Sequence, residues 1–481
     1  MEPNLRKVLG PKRNSAKAVP AFCMAPRVPL RIPVLWAAVL GLSSFGACAG
    51  VVFSNLYSFA GNDGAYPLGV LAQGSDGYFY GTTEGGGTNN AGTVFNLSPN
   101  GVLTSLYSFT GGNDGASPEA GLVQSSDGYF YGTTYHGGAT NFGTVYKIST
   151  NGALTSFYPF DYTNGAFPLG ELIQGSDGNL YGSTSAGGTS GGGTLLRINT
   201  NGTPTTLYSF TGGNDGASPY AGLVQGKDGN FYGTTFEGGT NNAGTVFRIS
   251  TNGALTSLYS FTRGNDGAWP QAGLVQGSDG SFYGTASVGG TNSYGTVFRI
   301  STNGVLTSLY SFTGGNDGAN PETGLVQAKD GNFYGTTRHG GTNGAGTVFK
   351  VSSNGALSSL YSFTGGNDGA SPQAGLVQGS DGNLYGTTFQ GGSGGNGTVF
   401  RLILLAPPAP TLQAVTLTNR TLNLTWITEA GAMYQVQYKS DLKSTNWTNL
   451  RGVVTATGAT LSATDSVTNG PLRFYRVVLL P

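Results

Sequence analysis

Between Val51 and Leu405 a unit of about fifty residues is written seven times, and this repetition constrains the fold more than any other feature. One tyrosine marks each copy: Tyr57, Tyr107, Tyr158, Tyr208, Tyr259, Tyr310 and Tyr361, spaced 50, 51, 50, 51, 51 and 51. A unit of this length cannot bury its own apolar face, so stacked neighbours must complete the core in a propeller, solenoid or array. The 84 glycines follow no Gly-X-Y period, which excludes collagen. Recurrent Tyr, Phe, Leu and Val exclude a disordered low-complexity chain.

The copy that starts at Gly222 reads as four short strands separated by turn signals. Strand a is Gly222–Gln225, and an Asp228-Gly229 turn suited to positive φ follows it. Strand b is Phe231–Thr235 and strand c is Thr245–Ile249, with a Gly- and Asn-rich loop between them. A Thr251-Asn252-Gly253 turn leads to strand d, Leu255–Phe261. Adjacent large residues, such as Phe231 and Tyr232, break the alternation of a half-buried strand, as expected for a sheet covered on both faces.

The array opens on a lone strand d, Val52–Phe59, and closes on strands a to c, Gly375–Leu405. Pairing those ends completes a seventh sheet and removes an open edge. Pro159 in strand d of the third copy makes d the outermost strand, because proline is tolerated at edges, and leaves a on the axis. The expected fold is all-β: a seven-bladed β-propeller of four-stranded antiparallel blades over 50–405. A β-solenoid is the runner-up, and the Asp-Gly hairpin fits it poorly.

The runs DGNFYGTT and GTVFRISTNGALTSLYSF resemble the repeat of the GloVer-type tandem repeat proteins, over residues 51–405. That resemblance implies an exported bacterial array of propeller-like blades. The chain departs from the family in lacking a C-terminal apolar anchor helix with a basic tail, so anchoring by a sorting signal is not expected. Residues 406–410 (Ala-Pro-Pro-Ala-Pro) are a stiff linker. Beyond it, the alternating segments Leu422–Trp426, Tyr434–Tyr438 and Phe474–Leu479 make 411–481 resemble a fibronectin type III-like β-sandwich, with Trp426 in its core.

The first 49 residues carry seven of the 23 Lys and Arg and one acid. Arg27 and Arg31 precede an apolar run from Ile32 to Leu42 and then Ala47-Cys48-Ala49. This is the order of a signal peptide, starting at Met1 or Met24 and cleaved between Ala49 and Gly50. A lipoprotein acylated on Cys48 is the less favoured reading. The remaining chain has 16 basic and 22 acidic residues, a net charge of −6 that excludes a nucleic-acid binder. Cys23 and Cys48 are the only cysteines, so cleavage after Ala49 leaves no thiol. An exported monomer without a transmembrane segment is expected.

Little in the chain points to catalysis, and neither a catalytic group nor a cofactor is assigned. The two histidines, His136 and His339, share one repeat position in copies two and six. A ring would hold them nearly opposite each other, which argues against a shared metal. The Asn-Asp-Gly loops (Asp114 and Asp215, for example) offer one carboxylate each, whereas calcium needs six to eight oxygens. Turn formation accounts for that motif instead.

Variation among the copies is concentrated in two loops. The residue before the loop proline runs Tyr66, Ser117, Phe167, Ser218, Trp269, Asn320, Ser371. The b–c loop begins Glu84, Tyr135, Ser185, Phe236, Ser287, Arg338, Phe389. Both loop sets leave the same end of a blade, so one face should present exposed aromatics among polar groups. The candidate ligand-binding residues are Tyr66, Phe167, Trp269, Tyr220, Tyr135, His136, Phe236, His339 and Phe389. The competing view is that these rings merely cap the blade ends. The expected function is non-enzymatic recognition of carbohydrate or a surface protein. A purely structural surface protein and a propeller lyase or hydrolase are the alternatives.

Overall fold

A computed structural model describes residues 51–199, 202, 204–405, 410–428, 432–466 and 472–480. The signal segment, its cleavage site and most of the proline linker lie outside the described residues. Among those described, seven four-stranded antiparallel sheets occupy 51–404, each in the order a-b-c-d. The antiparallel meander excludes the solenoid. No helix is long and apolar enough to cross a membrane among the described residues.

The opening strand Val51–Ser58 pairs with Thr398–Leu404, from Val51 opposite Leu404 to Ser58 opposite Thr398. The ring is also closed at its inner turns. In every sheet the glutamine of strand a accepts a hydrogen bond from the turn of the preceding sheet. Gln124 takes the N–H of Ser75 at 2.8 Å, and the series ends with Gln73 taking that of Ser380 at 2.8 Å. These bonds join sequence-remote ends with the geometry used between sequence neighbours.

Strands b and c match their expected ranges, as in Phe231–Thr235 and Thr245–Ile249, and b is buried at all five residues. Burial on both faces explains the missing alternation. Strand d is Leu255–Ser260; Phe261 leaves the ladder and is fully buried. Strand a is shorter than expected. It spans only Val224–Gln225, and shortly before it Ala221 accepts a hydrogen bond from the Ser183 hydroxyl of the preceding sheet, at 2.9 Å.

The repeat motif is explained by three recurring contacts. At five of the seven junctions the strand-b tyrosine packs on the first ring of the next strand b: Tyr232 on Phe282, and Tyr385 on Phe79 across the closure, each at 4.0 Å; Leu180 and Leu384 take the place of that ring at the other two. Its hydroxyl donates to the Asp-Gly turn, as Tyr232 does to Asp228 at 2.9 Å. The marker tyrosine of strand d donates to the Asn-Asp-Gly aspartate, as Tyr208 does to Asp215 at 3.1 Å. That aspartate also accepts from the backbone N–H of Thr211 at 2.8 Å and from its hydroxyl. The carboxylate therefore completes a turn. The third copy keeps this loop with an amide, Asn164 accepting from the N–H of Asp161 at 3.1 Å. The following glycine is required: Gly216 has φ +105°, and a Cβ there would stand 2.3 Å from the Thr235 hydroxyl.

Residues 412–480 form a three-stranded sheet (Leu412–Thr418, Thr421–Ile427, Thr460–Ser466) and a second sheet centred on Met433–Lys439. Leu424 and Trp426 of the first share a core with Tyr434, Val436 and Tyr475 of the second. Trp426 is buried there, 1 % exposed.

Candidate functional site at the axial mouth

Both variable loops do emerge at one end of each sheet, tied by a backbone bridge such as Ala217 to Glu237. The residue before the loop proline is left-handed in all seven copies, from Ser371 at φ 52° to Tyr66 at φ 62°. Non-glycine residues adopt this conformation rarely, and only where their surroundings enforce it. Two hydrogen bonds hold each one. Ser218 donates its N–H to Gly192 of the preceding sheet at 2.8 Å and accepts from Phe236 of its own at 3.0 Å.

This clamp turns each side chain toward the preceding sheet, so the aromatics meet in pairs across the junctions. Tyr66 lies 5.0 Å from Phe389, Phe167 lies 5.0 Å from Tyr135, and Trp269 lies 5.9 Å from Phe236. Tyr220 stacks on Phe236 at 4.7 Å and 9°, extending the last pair into a strip of three rings. Tyr66 is exposed, at 37 %. The expectation of exposure fails for Phe167 and Trp269, which are half-buried because each rests on its pair partner and on the sheet beneath.

The histidines are not alike. His136 is half-buried between Tyr135 and Phe167, and its Nδ1 is buried without a hydrogen bond. Exposure, expected for both, holds for His339 alone. Burial and the neighbouring Arg338 lower the pKa of His339. Among the described residues no group of three His, Cys, Asp or Glu is placed to hold a metal ion.

A cavity of about 270 Å³ runs down the axis from this face, lined by the residues that follow the loop prolines in all seven sheets. The rim position, directly after each loop proline, carries Glu119, Tyr220, Gln271 and Glu322, and Glu171 lines the wall two positions further along the chain. The rim position is as variable as the two loops (Leu68, Glu119, Leu169, Tyr220, Gln271, Glu322, Gln373). Sequence reasoning took only Tyr220 from it. Glu322 is bonded to Arg338 at 3.2 Å.

The amino-acid sequence profile of a Gloeobacter/Verrucomicrobia repeat matches residues 45–227, 209–400 and 315–434. The chain belongs to that repeat family. No curated protein matches it. Among solved structures it is similar to a lectin from Burkholderia pseudomallei, with a TM-score of 0.48 and 10 % identity over 72 % of this chain and 97 % of that one. An ulvan lyase, a polysaccharide lyase, gives a TM-score of 0.41 at 10 % identity over 73 % and 95 %.

In this Gloeobacter/Verrucomicrobia repeat protein the mouth carboxylates oppose the turn aspartates in their response to pH. Burial pushes Glu171 up to about 7, and burial together with Glu84 does the same to Glu119. For Asp215, burial is outweighed by bonds from Thr211 and Tyr208, so its carboxyl lies below the ordinary value. Raised carboxyls favour folding when protonated, so their contribution grows as pH falls through 7 toward the ordinary 4.5. Depressed aspartates lose theirs as pH falls through their folded pKa. The melting temperature is therefore expected to rise from pH 8 to about 5 and to fall below about 4. A scanning calorimetry series tests this; a monotonic fall from pH 8 downward would remove the buried carboxyls from the balance.

Proposed function

We propose that this protein is an exported, non-enzymatic carbohydrate-binding protein, a seven-bladed β-propeller followed by a fibronectin type III-like spacer. The observation that carries the reading is the strip Tyr220–Phe236–Trp269, which runs from the rim of the axial cavity across the junction of the fourth and fifth sheets. Aromatic rings beside a concave polar site suit a sugar, which offers an apolar face for stacking and hydroxyls for hydrogen bonds. Glu119 and Gln271 line the same cavity as Tyr220 and offer polar groups to hydroxyls. Export rests on the basic, apolar and small-residue order of residues 27–49.

A glycan array on the full chain tests the reading. Phe236→Ala removes the middle ring, and loss of a binding anchor costs about 2 kcal/mol of affinity or more. A Tyr66→Ala chain should melt within about 0.5 kcal/mol of wild type, because its ring is exposed. Trp269→Ala should cost more stability than Tyr66→Ala, since its ring is half-buried. If no glycan binds, or Phe236→Ala leaves glycan affinity unchanged, the strip is a packing cap.

A further inference from the structure

The mouth carries an unbalanced charge. Its loops and cavity hold Glu84, Glu119, Glu171, Glu237 and Glu322 against Arg263 and Arg338. Both guanidiniums are occupied. Arg338 bonds Glu322 at 3.2 Å, while Arg263 lies 5.0 Å from the Trp269 ring and donates to the Asn242 carbonyl at 2.7 Å. The ion pairs among the described residues leave Glu119 and Glu171 without a cation.

Glu171 is an exception to the repeat. Its counterparts are Gly121, Gly222, Gly273, Gly324 and Gly375, with Val70 in the first copy. The third copy reads Gly170-Glu171 where most read Ala-Gly, so the glycine moves back by one position. Gly170 then lies against the next sheet, where a Cβ would stand 2.5 Å from the Ala221 carbonyl. The carboxylate lies on the cavity wall, where the Val70 backbone, two sheets away, only partly offsets the upward push of burial on its pKa.

This arrangement has a local cost. Thr82, Ser183 and Thr234 each donate a hydroxyl to a wall carbonyl of the following sheet, at 2.8, 2.9 and 3.0 Å. Their counterpart facing the altered wall is Thr133, 2 % exposed, whose hydroxyl is buried without a partner. An unmet buried hydroxyl and a carboxylate without a counter-ion both oppose folding. A ligand that supplies a cation would offset the second.

We propose that the axial cavity takes a sugar residue bearing a protonated amine, with Glu119 and Glu171 as its counter-charges and the Tyr220–Phe236–Trp269 strip as the platform for adjoining sugars. This rests on the carbohydrate reading above and names the class of sugar. Unpaired carboxylates in a confined site repel sulfated and uronic sugars, and a neutral sugar leaves them uncompensated. An ammonium in the cavity supplies the missing positive charge, through a charge-assisted hydrogen bond to the carboxylate it meets and attraction to the other. The cavity is slightly smaller than typical small-ligand sites of about 300–1,000 Å³, which suits one terminal residue with the rest of the chain outside. Because Glu119 and Glu171 are raised to about 7, binding near that pH should release protons.

The test is titration calorimetry of the full chain with a glucosamine tetramer, its N-acetylated form, a neutral glucose tetramer, a lysine tetrapeptide and calcium chloride. The amine tetramer is expected to bind about tenfold or more tightly than either uncharged sugar, releasing protons. Glu171→Gln should remove about tenfold of that affinity and leave uncharged sugars unaffected, and Glu119→Gln should remove a similar factor. Glu171→Gly, which restores the common repeat residue, separates charge from folding: it should lose the preference yet melt no lower than wild type. Uncharged sugars binding as well as the amine would overturn this proposal while leaving the carbohydrate reading intact. Binding of the peptide or of calcium, with no sugar binding, would overturn both.

Discussion

Removal of residues 51–59 is expected to abolish the single cooperative melting transition and to drive the protein into aggregates. The lost strand is paired along its length with Thr398–Leu404. Without it that strand becomes an open edge, available to any other exposed strand. The aromatic losses add to this. Phe53 stacks on Tyr361 at 4.1 Å, and Phe59, fully buried, meets Phe95 at 5.3 Å. Deleting a buried phenylalanine side chain costs about 3–5 kcal/mol, against a whole-domain stability of about 5–15 kcal/mol. Calorimetry with light scattering is the measurement. An unchanged melt and a monodisperse solution would mean that the pairing of the chain ends does not hold the ring.

Phe282→Ala is expected to lower stability by about 3–5 kcal/mol. The ring is fully buried and stacks on Tyr232 of the preceding sheet, so its removal leaves a cavity at the junction between the two sheets. Tyr232→Phe keeps the stack and removes only the bond to Asp228 at 2.9 Å, for which about 0.5–1.5 kcal/mol is expected. Denaturant titration of the two variants ranks the contributions. Equal losses would mean that the turn bond, and not ring packing, dominates cohesion between sheets.

Much of this was legible in the sequence because a repeat displays its own averages. Positions that carry the frame recur: the Tyr232 class, the Asp-Gly turn and the Thr pairs. They marked strands b and c to the residue, and the unmatched ends announced closure. Strand a was overestimated because its leucine, present in every copy, looks like a strand residue. Whether Ala221 bonds within its sheet or to Ser183 of the preceding one is not a local property. The marker tyrosines and the turn role of the Asn-Asp-Gly loops were legible separately, but that the two are bonded, as Tyr208 is to Asp215, is a matter of tertiary placement.

The candidate face divides in the same way. Variation among copies singled out Tyr66, Phe167 and Trp269, and separately Tyr135, Phe236 and Phe389. Only the tertiary structure joined them, because each pair spans a junction: Phe236 and Trp269 are 33 positions apart, and Tyr66 meets Phe389 only once the ring closes. Glu119 and Glu171 went unremarked because a lone carboxylate in a loop carries no sequence signal, and their meaning depends on burial and on the absence of a nearby cation. The sequence by itself determined the unit, its strands and its sevenfold count, since those follow from local pattern and from the need of each unit for a neighbour. The tertiary structure alone decided which side chains share a surface and which charges stay unpaired, since these depend on distances between residues that only ring closure brings together.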